Sequence, residues 1–315
     1  MSTKIVVTGG AGFIGSALAR ALVARGDEVI IIDNFSSGRR DNLAEVLGKA
    51  QVVEGDILDA GLLDRVFADA SLVFHEAAVP SVQRSLAAPR ASHDANATGT
   101  LNVLEAARRC GVRRVVYAGS SSAYGEPPSL PTIEDMAPAP LSPYSVSKLA
   151  GEHYCRVFAR VLGVETVVLR YFNVFGPRQD PGSQYAAVIP RFITAALGGQ
   201  TPVVHGDGEQ SRDFCFIDNV VDANLRAAAA AEVSGQVFNI ACGAATSLNQ
   251  VLVLLGQALG RTIEARHEPA RAGDVRHSLA DISRARKLLG YTAPVSFPVG
   301  LRRTLDWFQR QSRTP

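Results

Sequence analysis

The chain has 315 residues, 47% hydrophobic and 20% charged, enough apolar material for a sizeable buried core and outside the range of disordered chains. Thirty-two Lys and Arg against 30 Asp and Glu leave a formal charge of +2, which argues against a nucleic-acid or membrane-surface partner. The N-terminus runs directly into a strand-like segment, and no later run approaches 18 uninterrupted apolar residues, so a cytoplasmic location without a membrane partner is expected.

Cysteines 110, 155, 215 and 242 lie far apart, and His75, His93, His153, His205, His267 and His277 show no metal-ligand spacing. Free thiols and no metal are the expectation.

The first predicted strand, Lys4–Thr8, runs into Gly9-Gly10-Ala11-Gly12-Phe13-Ile14-Gly15 and then a predicted helix, Phe13–Arg25, stopped by Gly26. Between a strand and a helix, such glycines let the backbone approach a pyrophosphate, and the helix N-terminus offers unpaired N–H groups to the anion. The second strand, Glu28–Asp33, ends on an acid 18 positions after Gly15, where a carboxylate accepts hydrogen bonds from an adenosine ribose. That charge repels the extra phosphate of NADP and favours NAD, whereas Arg39 and Arg40 nearby would speak for NADP.

Strands are next predicted at Val52–Gly55, Leu72–Ala77, Arg113–Gly119 and Glu165–Tyr171, with helices over Ala91–Cys110 and Pro143–Leu162. Strands alternating with helices predict an α/β, doubly wound parallel sheet of the Rossmann kind over residues 1–172. After Phe172 the pattern breaks into loops, short strands (Pro202–His205, Gln236–Ile240) and helices (Ile189–Leu197, Asn219–Ala231, Leu248–Leu259, Val299–Gln309). Residues 173–315 are therefore expected to form a smaller α/β substrate domain over the carboxyl ends of the strands, with chain excursions between the two.

Two features carry chemistry. Ser142-Pro143 opens a helix on which Tyr144 and Lys148, four residues apart, share a face, so the ammonium is expected to lower the pKa of the phenol. A tyrosine so tuned removes a proton from an alcohol while hydride leaves the same carbon. Ser120, Ser121 and Ser122 follow the strand ending at Gly119 and present hydroxyls to the reacting oxygen.

The chain resembles the extended short-chain dehydrogenase/reductases. It is most similar to the UDP-hexose 4-epimerases, and among them to the bacterial UDP-N-acetylglucosamine 4-epimerases. The resemblance rests on Thr8-Gly9-x-x-Gly12-x-x-Gly15, Asp33-Asn34, Gly55-Asp56-Ile57, His75-x-Ala77-Ala78, Asn96-x-x-Gly99-Thr100 and Ser120 to Gly125. It continues through Tyr144-x-x-x-Lys148, Arg170-Tyr171-Phe172-Asn173, Gly206-Asp207-Gly208 and Arg212-Asp213.

The resemblance implies Tyr144 as base, Lys148 as its partner and nicotinamide-ribose ligand, and one serine of the triplet on the C4 hydroxyl, Ser121 being favoured with Ser120 and Ser122 open. Many relatives carry a residue or two more between the serines and the Tyr-Gly matching Tyr124-Gly125. An NAD site is implied at Gly9, Gly12, Phe13, Ile14, Gly15, Asp33, Asn34, Ser36, Gly38, Asp56, Ile57, Ala77, Ala78, Asn96, Tyr144, Lys148 and Tyr171.

A UDP-sugar site is implied at Ser81, Ser122, Asn173, Val188, Val204, His205, Arg212, Arg271, Asp274 and Ser278. Arginines bind diphosphate oxygens in a forked geometry. Relatives restricted to non-acetylated sugars carry a bulky tyrosine where this chain has Ser278, so the serine frees volume for an N-acetyl group. Dehydrating relatives place Asp-Glu after a threonine in the serine's position, whereas Ser121-Ser122-Ala123 stands here. UDP-glucuronate as substrate and a non-catalytic nucleotide sensor are the rival readings. A homodimer through the Ala91–Cys110 and Pro143–Leu162 helices is implied by the resemblance alone.

Overall fold

A computed structural model describes residues 3–182, 187–270 and 275–313. Its centre is a seven-stranded, wholly parallel sheet built from β1 (Lys4–Thr8), β2 (Glu28–Asp33), β3 (Gln51–Glu54), β4 (Leu72–His75), β5 (Arg114–Ser120), β6 (Glu165–Tyr171) and the later strand Gln236–Ile240. The β-branched runs at its centre are buried from end to end, as parallel strands covered on both faces require.

Across the sheet the order is Gln236–Ile240, β6, β5, β4, β1, β2, β3. The chain therefore winds one way from β1 through β2 to β3, then crosses to β4 and winds the other way. The reversal between β1 and β4 opens a crevice at the carboxyl ends, where such sheets bind ligands.

Helices cover both faces. α1 (Phe13–Ala24) lies on one; α2 (Ala60–Phe67), α5 (Gly99–Arg109) and α6 (Pro143–Val157) lie on the other, the short α3 (Val82–Ala87) and α4 (Pro89–His93) falling between α2 and α5 in the chain. π-helical turns at Asp94–Thr98 and Phe158–Leu162 join α4 to α5 and extend α6, so the two long predicted helices are each a continuous helical run. The α6 start matches its prediction: Ser142 Oγ accepts from Ser145 N at 3.2 Å, Ser145 Oγ accepts from Ser142 N at 3.0 Å, and Pro143 stands in the first turn. Sequence reading missed α2, whose Asp59 cap accepts from Leu62 N at 2.9 Å while Leu63, Val66 and Phe67 face the core.

The second region packs on its own core, where α7 (Val188–Leu197), α9 (Leu248–Leu259) and α11 (Phe297–Arg313) surround Phe175, Phe214 and Phe216. The Phe214 and Phe297 rings stack at 5.1 Å. Between them in the chain, α8 (Ile217–Ala229) packs instead against α1, and α10 (Ser283–Leu289) packs beside Gln236–Ile240.

One strand from beyond residue 172 lies in the large sheet, an excursion of the kind expected between the two regions. Gln236–Ile240 pairs with β6, Val237 opposite Val168 and Ile240 opposite Tyr171, so it belongs to the large sheet and not to the cap. The described residues of 173–216 lie outside the sheet, and residues 217–240 return to it. That loop-rich detour separates two neighbouring strands and hides the βαβ rhythm.

Candidate active site

The glycine loop forms as its spacing requires. Gly9 has φ +67°, and a Cβ there would lie 2.6 Å from the Ala77 backbone, while one on Gly15 would lie 2.2 Å from the Gly9 carbonyl oxygen. Only glycine allows the end of β4, the turn and the start of α1 to meet so closely. Gly12 occupies the N-cap of α1 without a side-chain cap, so the amides of Phe13, Ile14 and Gly15 open the helix facing the crevice with no side chain competing for an anion.

Asp33 ends β2 beside this loop. Its carboxylate accepts from Ala11 N and Phe35 N, both at 2.8 Å, and burial raises its pKa above the usual carboxylate value. A Cβ on Gly38 would come within 2.7 Å of that carboxylate, so this glycine keeps a cradle open over Asp33. Arg40 lies 4.2 Å over the Phe35 ring and pairs with Glu54, and Arg39 leans towards Asp41 at 3.7 Å. Asn34 Nδ2 donates to Asp56 at 2.7 Å, and the Ser36 hydroxyl donates to Asn34 at 2.7 Å. The cradle, the uncapped helix start and the terminal acid together fit an adenine dinucleotide with a free ribose diol.

At the carboxyl ends of β4 to β6 the reactive groups converge. Ser120 acts on the Tyr144 phenol, favouring its ionised form, and Ser120 Oγ lies 2.8 Å from Ser122 Oγ. Lys148, buried beneath them, donates to the Ala118 carbonyl at 2.8 Å and stands 4.9 Å over the Tyr117 ring.

This corrects one expectation. The ammonium does not depress the phenol here: burial raises the pKa of Tyr144, and the opposing influence is the bond with Ser120. The buried carbonyl of Ala118 draws Lys148 towards β5. Burial also lowers Lys148 to about 8, against the attraction of Glu76.

The floor beneath is a fixed polar frame. The Arg170 guanidinium bonds both Glu152 oxygens at 2.6 and 2.8 Å and covers the Tyr124 ring at 4.5 Å, and Tyr124 Oη donates to Asn239 at 2.6 Å. His75 bridges Thr8 and Thr100 at 2.7 and 2.9 Å, and burial together with the Lys148 charge pushes its pKa down to about 3, so its ring is neutral.

On the cap side, Asn173 sits at φ +34° with Nδ2 donating to the Asp213 carbonyl at 3.2 Å and to Ser278 Oγ at 3.3 Å. Arg212 Nη1 donates to the carbonyls of Ser211 and Arg276, and Ser278 N donates to the Ser211 carbonyl at 3.1 Å. Asn173, Arg212 and Ser278 are thus brought together, although they are far apart in the chain. Val188 opens α7 and His205 ends the strand Val203–His205, both partly exposed. Arg271 and Asp274 lie outside the described residues.

Three predicted residues serve the scaffold in this structure. Asn96 is fully buried, holding Val79 N at 2.8 Å and Ser147 Oγ at 3.1 Å, so it ties the loop after β4 to α6. Val204 is fully buried in the cap core, and Ser81 Oγ caps α3 by accepting from Arg84 N at 3.1 Å. Ile57 packs where a Cβ on Gly99 would clash at 2.4 Å. Ala77 and Ala78 line the loop after β4, and Ala77 N reaches Thr8 Oγ1 at 3.4 Å. Sequence reading missed Glu76, which accepts from Tyr171 Oη at 2.8 Å; its signal was a lone acid at the carboxyl end of a buried strand, in Phe74-His75-Glu76-Ala77-Ala78.

A dinucleotide cradle at the switch point of a doubly wound sheet, beside a Tyr-Lys-Ser centre, defines a nicotinamide-dependent enzyme acting on an alcohol or ketone. Residues 5–241 match the model of the NAD dependent epimerase/dehydratase family, and the chain belongs to that family. A UDP-glucose 4-epimerase of Mycolicibacterium smegmatis is 41% identical, the match covering 98% of this chain and 100% of that one.

Among solved structures, the UDP-glucose 4-epimerase of Thermotoga maritima with UDP-glucose is 39% identical, with a TM-score of 0.94 over 99% of this chain and 100% of that one. The UDP-N-acetylglucosamine 4-epimerase of Methanobrevibacter ruminantium in complex with UDP-N-acetylmuramic acid is 38% identical, with a TM-score of 0.92 over 98% and 99%. NAD is the cofactor of the family, and the residues around Asp33 and Gly38 suit it. Among the described residues no helix is long and apolar enough to cross a membrane.

Proposed function

We propose that the protein inverts C4 of a UDP-hexose, taking UDP-N-acetylglucosamine and its 4-epimer, UDP-glucose and its 4-epimer, or both pairs. The observation that carries this reading is the gathering of Tyr144, Ser120 and Ser122 with Lys148 at the carboxyl ends of the strands beside the dinucleotide crevice.

Bound NAD supplies a hydride acceptor that returns what it takes, so no external oxidant is consumed. Tyr144, as the phenolate, takes the C4 hydroxyl proton, and Ser120, the serine that favours that phenolate, holds the same oxygen in preference to Ser121. Lys148, fixed by Ala118, would favour that phenolate by its positive charge once cofactor and sugar fill the crevice. Arg212 and Arg271 hold the diphosphate while the 4-keto sugar turns over within the crevice and presents its opposite face. Asn173 anchors the nucleotide side, and the small Ser278 beside it leaves room for an N-acetyl group. Tyr144 then gives the proton back to the new C4 alcohol.

A homodimer is part of the proposal. Val146, Tyr154, Val157 and Val161 stand exposed along α6 and its π-helical extension, an apolar stripe suited to a second copy.

Specificity constants for UDP-glucose, UDP-galactose, UDP-N-acetylglucosamine, UDP-N-acetylgalactosamine and UDP-glucuronate test the reading. At least one neutral pair interconverts without net change in NADH, and Tyr144→Phe lowers that rate by about 10²-fold or more. Turnover of UDP-glucuronate alone would select the uronate reading, and turnover of none would leave a nucleotide-binding protein.

A further inference from the structure

The proposed chemistry uses only half of Arg212-Asp213: Arg212 serves the diphosphate, whereas Asp213, fully buried beside it, has no task. The chain around Asp213 is a junction. Ser211–Arg212 pairs antiparallel with Thr246–Ser247 on one side and runs parallel, through the Ser211 to His277 bridge, with the segment that carries Ser278 on the other. The parallel pairing consists of Ser211 N donating to the Arg276 carbonyl and Ser278 N donating to the Ser211 carbonyl, both at 3.1 Å. One further step of such a ladder would bring Ala280 N to the carbonyl of Asp213.

That step is made by the side chain instead. Ala280 N donates to the Asp213 carboxylate at 3.2 Å, and the Asp213 carbonyl accepts from Asn173 Nδ2 at 3.2 Å. The carboxylate thus takes the ladder position of its own backbone oxygen and releases that oxygen for Asn173. It also accepts from Cys242 N at 2.8 Å and Gly243 N at 3.0 Å, in the turn between Gln236–Ile240 of the large sheet and Thr246–Ser247.

We propose that Asp213 is a positioning residue for the UDP moiety: its carboxylate ties the turn at Cys242 and Gly243 to the segment ending at Ala280, so that Arg212, Asn173 and Ser278 meet the nucleotide as one preformed surface.

The chemistry of the junction suits a carboxylate and no other side chain. Burial raises Asp213 to about 6, with its backbone bonds opposing, so near neutral pH it accepts in the ionised form, which bonds amides more strongly than a neutral oxygen does. An asparagine there offers one oxygen and one NH2 group, and the NH2 group would face a backbone N–H. The Arg212 guanidinium depends on the junction directly, because Nη1 donates at 3.0 Å to the carbonyl of Arg276, at the start of the segment that Asp213 pins at Ala280. Ser278 lies between those two points, and its hydroxyl accepts from Asn173 Nδ2 at 3.3 Å. Gly9 to Gly15, Asp33 and Gly38 take part in none of these bonds, so the cofactor cradle stands apart from the junction.

The inference rests on the proposed UDP reading and is tested by binding as well as turnover. In calorimetric titrations, Asp213→Asn is expected to weaken UDP binding about tenfold or more, the effect of one buried donor left unsatisfied, while NAD affinity stays within about twofold of wild type. With a UDP-hexose that turns over, KM rises by a similar factor and kcat changes by less than about threefold. A general loosening of the fold would lower both affinities and kcat together, so this split separates positioning from scaffolding.

Asp213→Ser, whose smaller side chain leaves room for water beside the freed amides, carries the same expectation and serves if Asp213→Asn does not fold. UDP bound as tightly by a folded variant as by wild type overturns the inference and leaves the functional reading standing, as does an equal loss of UDP and NAD affinity. A wild type that binds no UDP overturns both.

Discussion

At the scale of single residues, the cofactor cradle depends on what is missing as much as on what is present. Gly38 has no Cβ, and that gap separates an open Asp33 carboxylate from one covered at 2.7 Å. Gly38→Ala is therefore expected to weaken NAD binding tenfold or more, about 1.4 kcal/mol, in calorimetric titration. Equal affinity in wild type and variant would remove Asp33 from the ribose site. The glycines, Asp33, Tyr144 and Lys148 were legible in the sequence because each is tied to a local backbone demand or a fixed helical spacing. The charge relations were not. Which carbonyl captures Lys148, and which serine meets Tyr144, depends on strands brought together from distant parts of the chain.

At the scale of elements, α6 and β6 are clamped by Arg170 and Glu152, each no more than 3% exposed. Two charges taken from water this completely depend on each other, so removing one leaves the other buried and unpaired. Glu152→Ala is expected to cost about 3–5 kcal/mol in urea denaturation, whereas Glu152→Gln, which can still accept from the guanidinium, costs less. A loss below about 1 kcal/mol would show that water reaches the pair. The sequence showed α6 clearly through Ser142, Pro143 and the apolar periodicity, and β1, β2 and β6 through their β-branched runs. It did not show that Gln236–Ile240 lies beside β6, because adjacency across a detour of more than 60 residues leaves no local pattern. α2 escaped notice since its eight residues give barely two turns of periodicity.

At the scale of the whole molecule, the sheet carries the dinucleotide crevice and the second region carries the proposed nucleotide side, with Asn173 and Ser278 bonded beside it. The exposed stripe of Val146, Tyr154, Val157 and Val161 is the face through which the proposed dimer would form. Replacing Val157 and Val161 together by Glu is expected to yield a monomer in sedimentation velocity. A variant that sediments as the wild type would place any interface elsewhere. The central claim concerns the fate of one hydrogen and is tested most directly with UDP-hexose carrying deuterium at C4, followed by mass spectrometry of the epimeric product formed in ordinary water. The account predicts that the 4-epimer keeps its deuterium at C4, because the hydride leaves and returns within one closed site. An epimer carrying solvent hydrogen at C4 would contradict it.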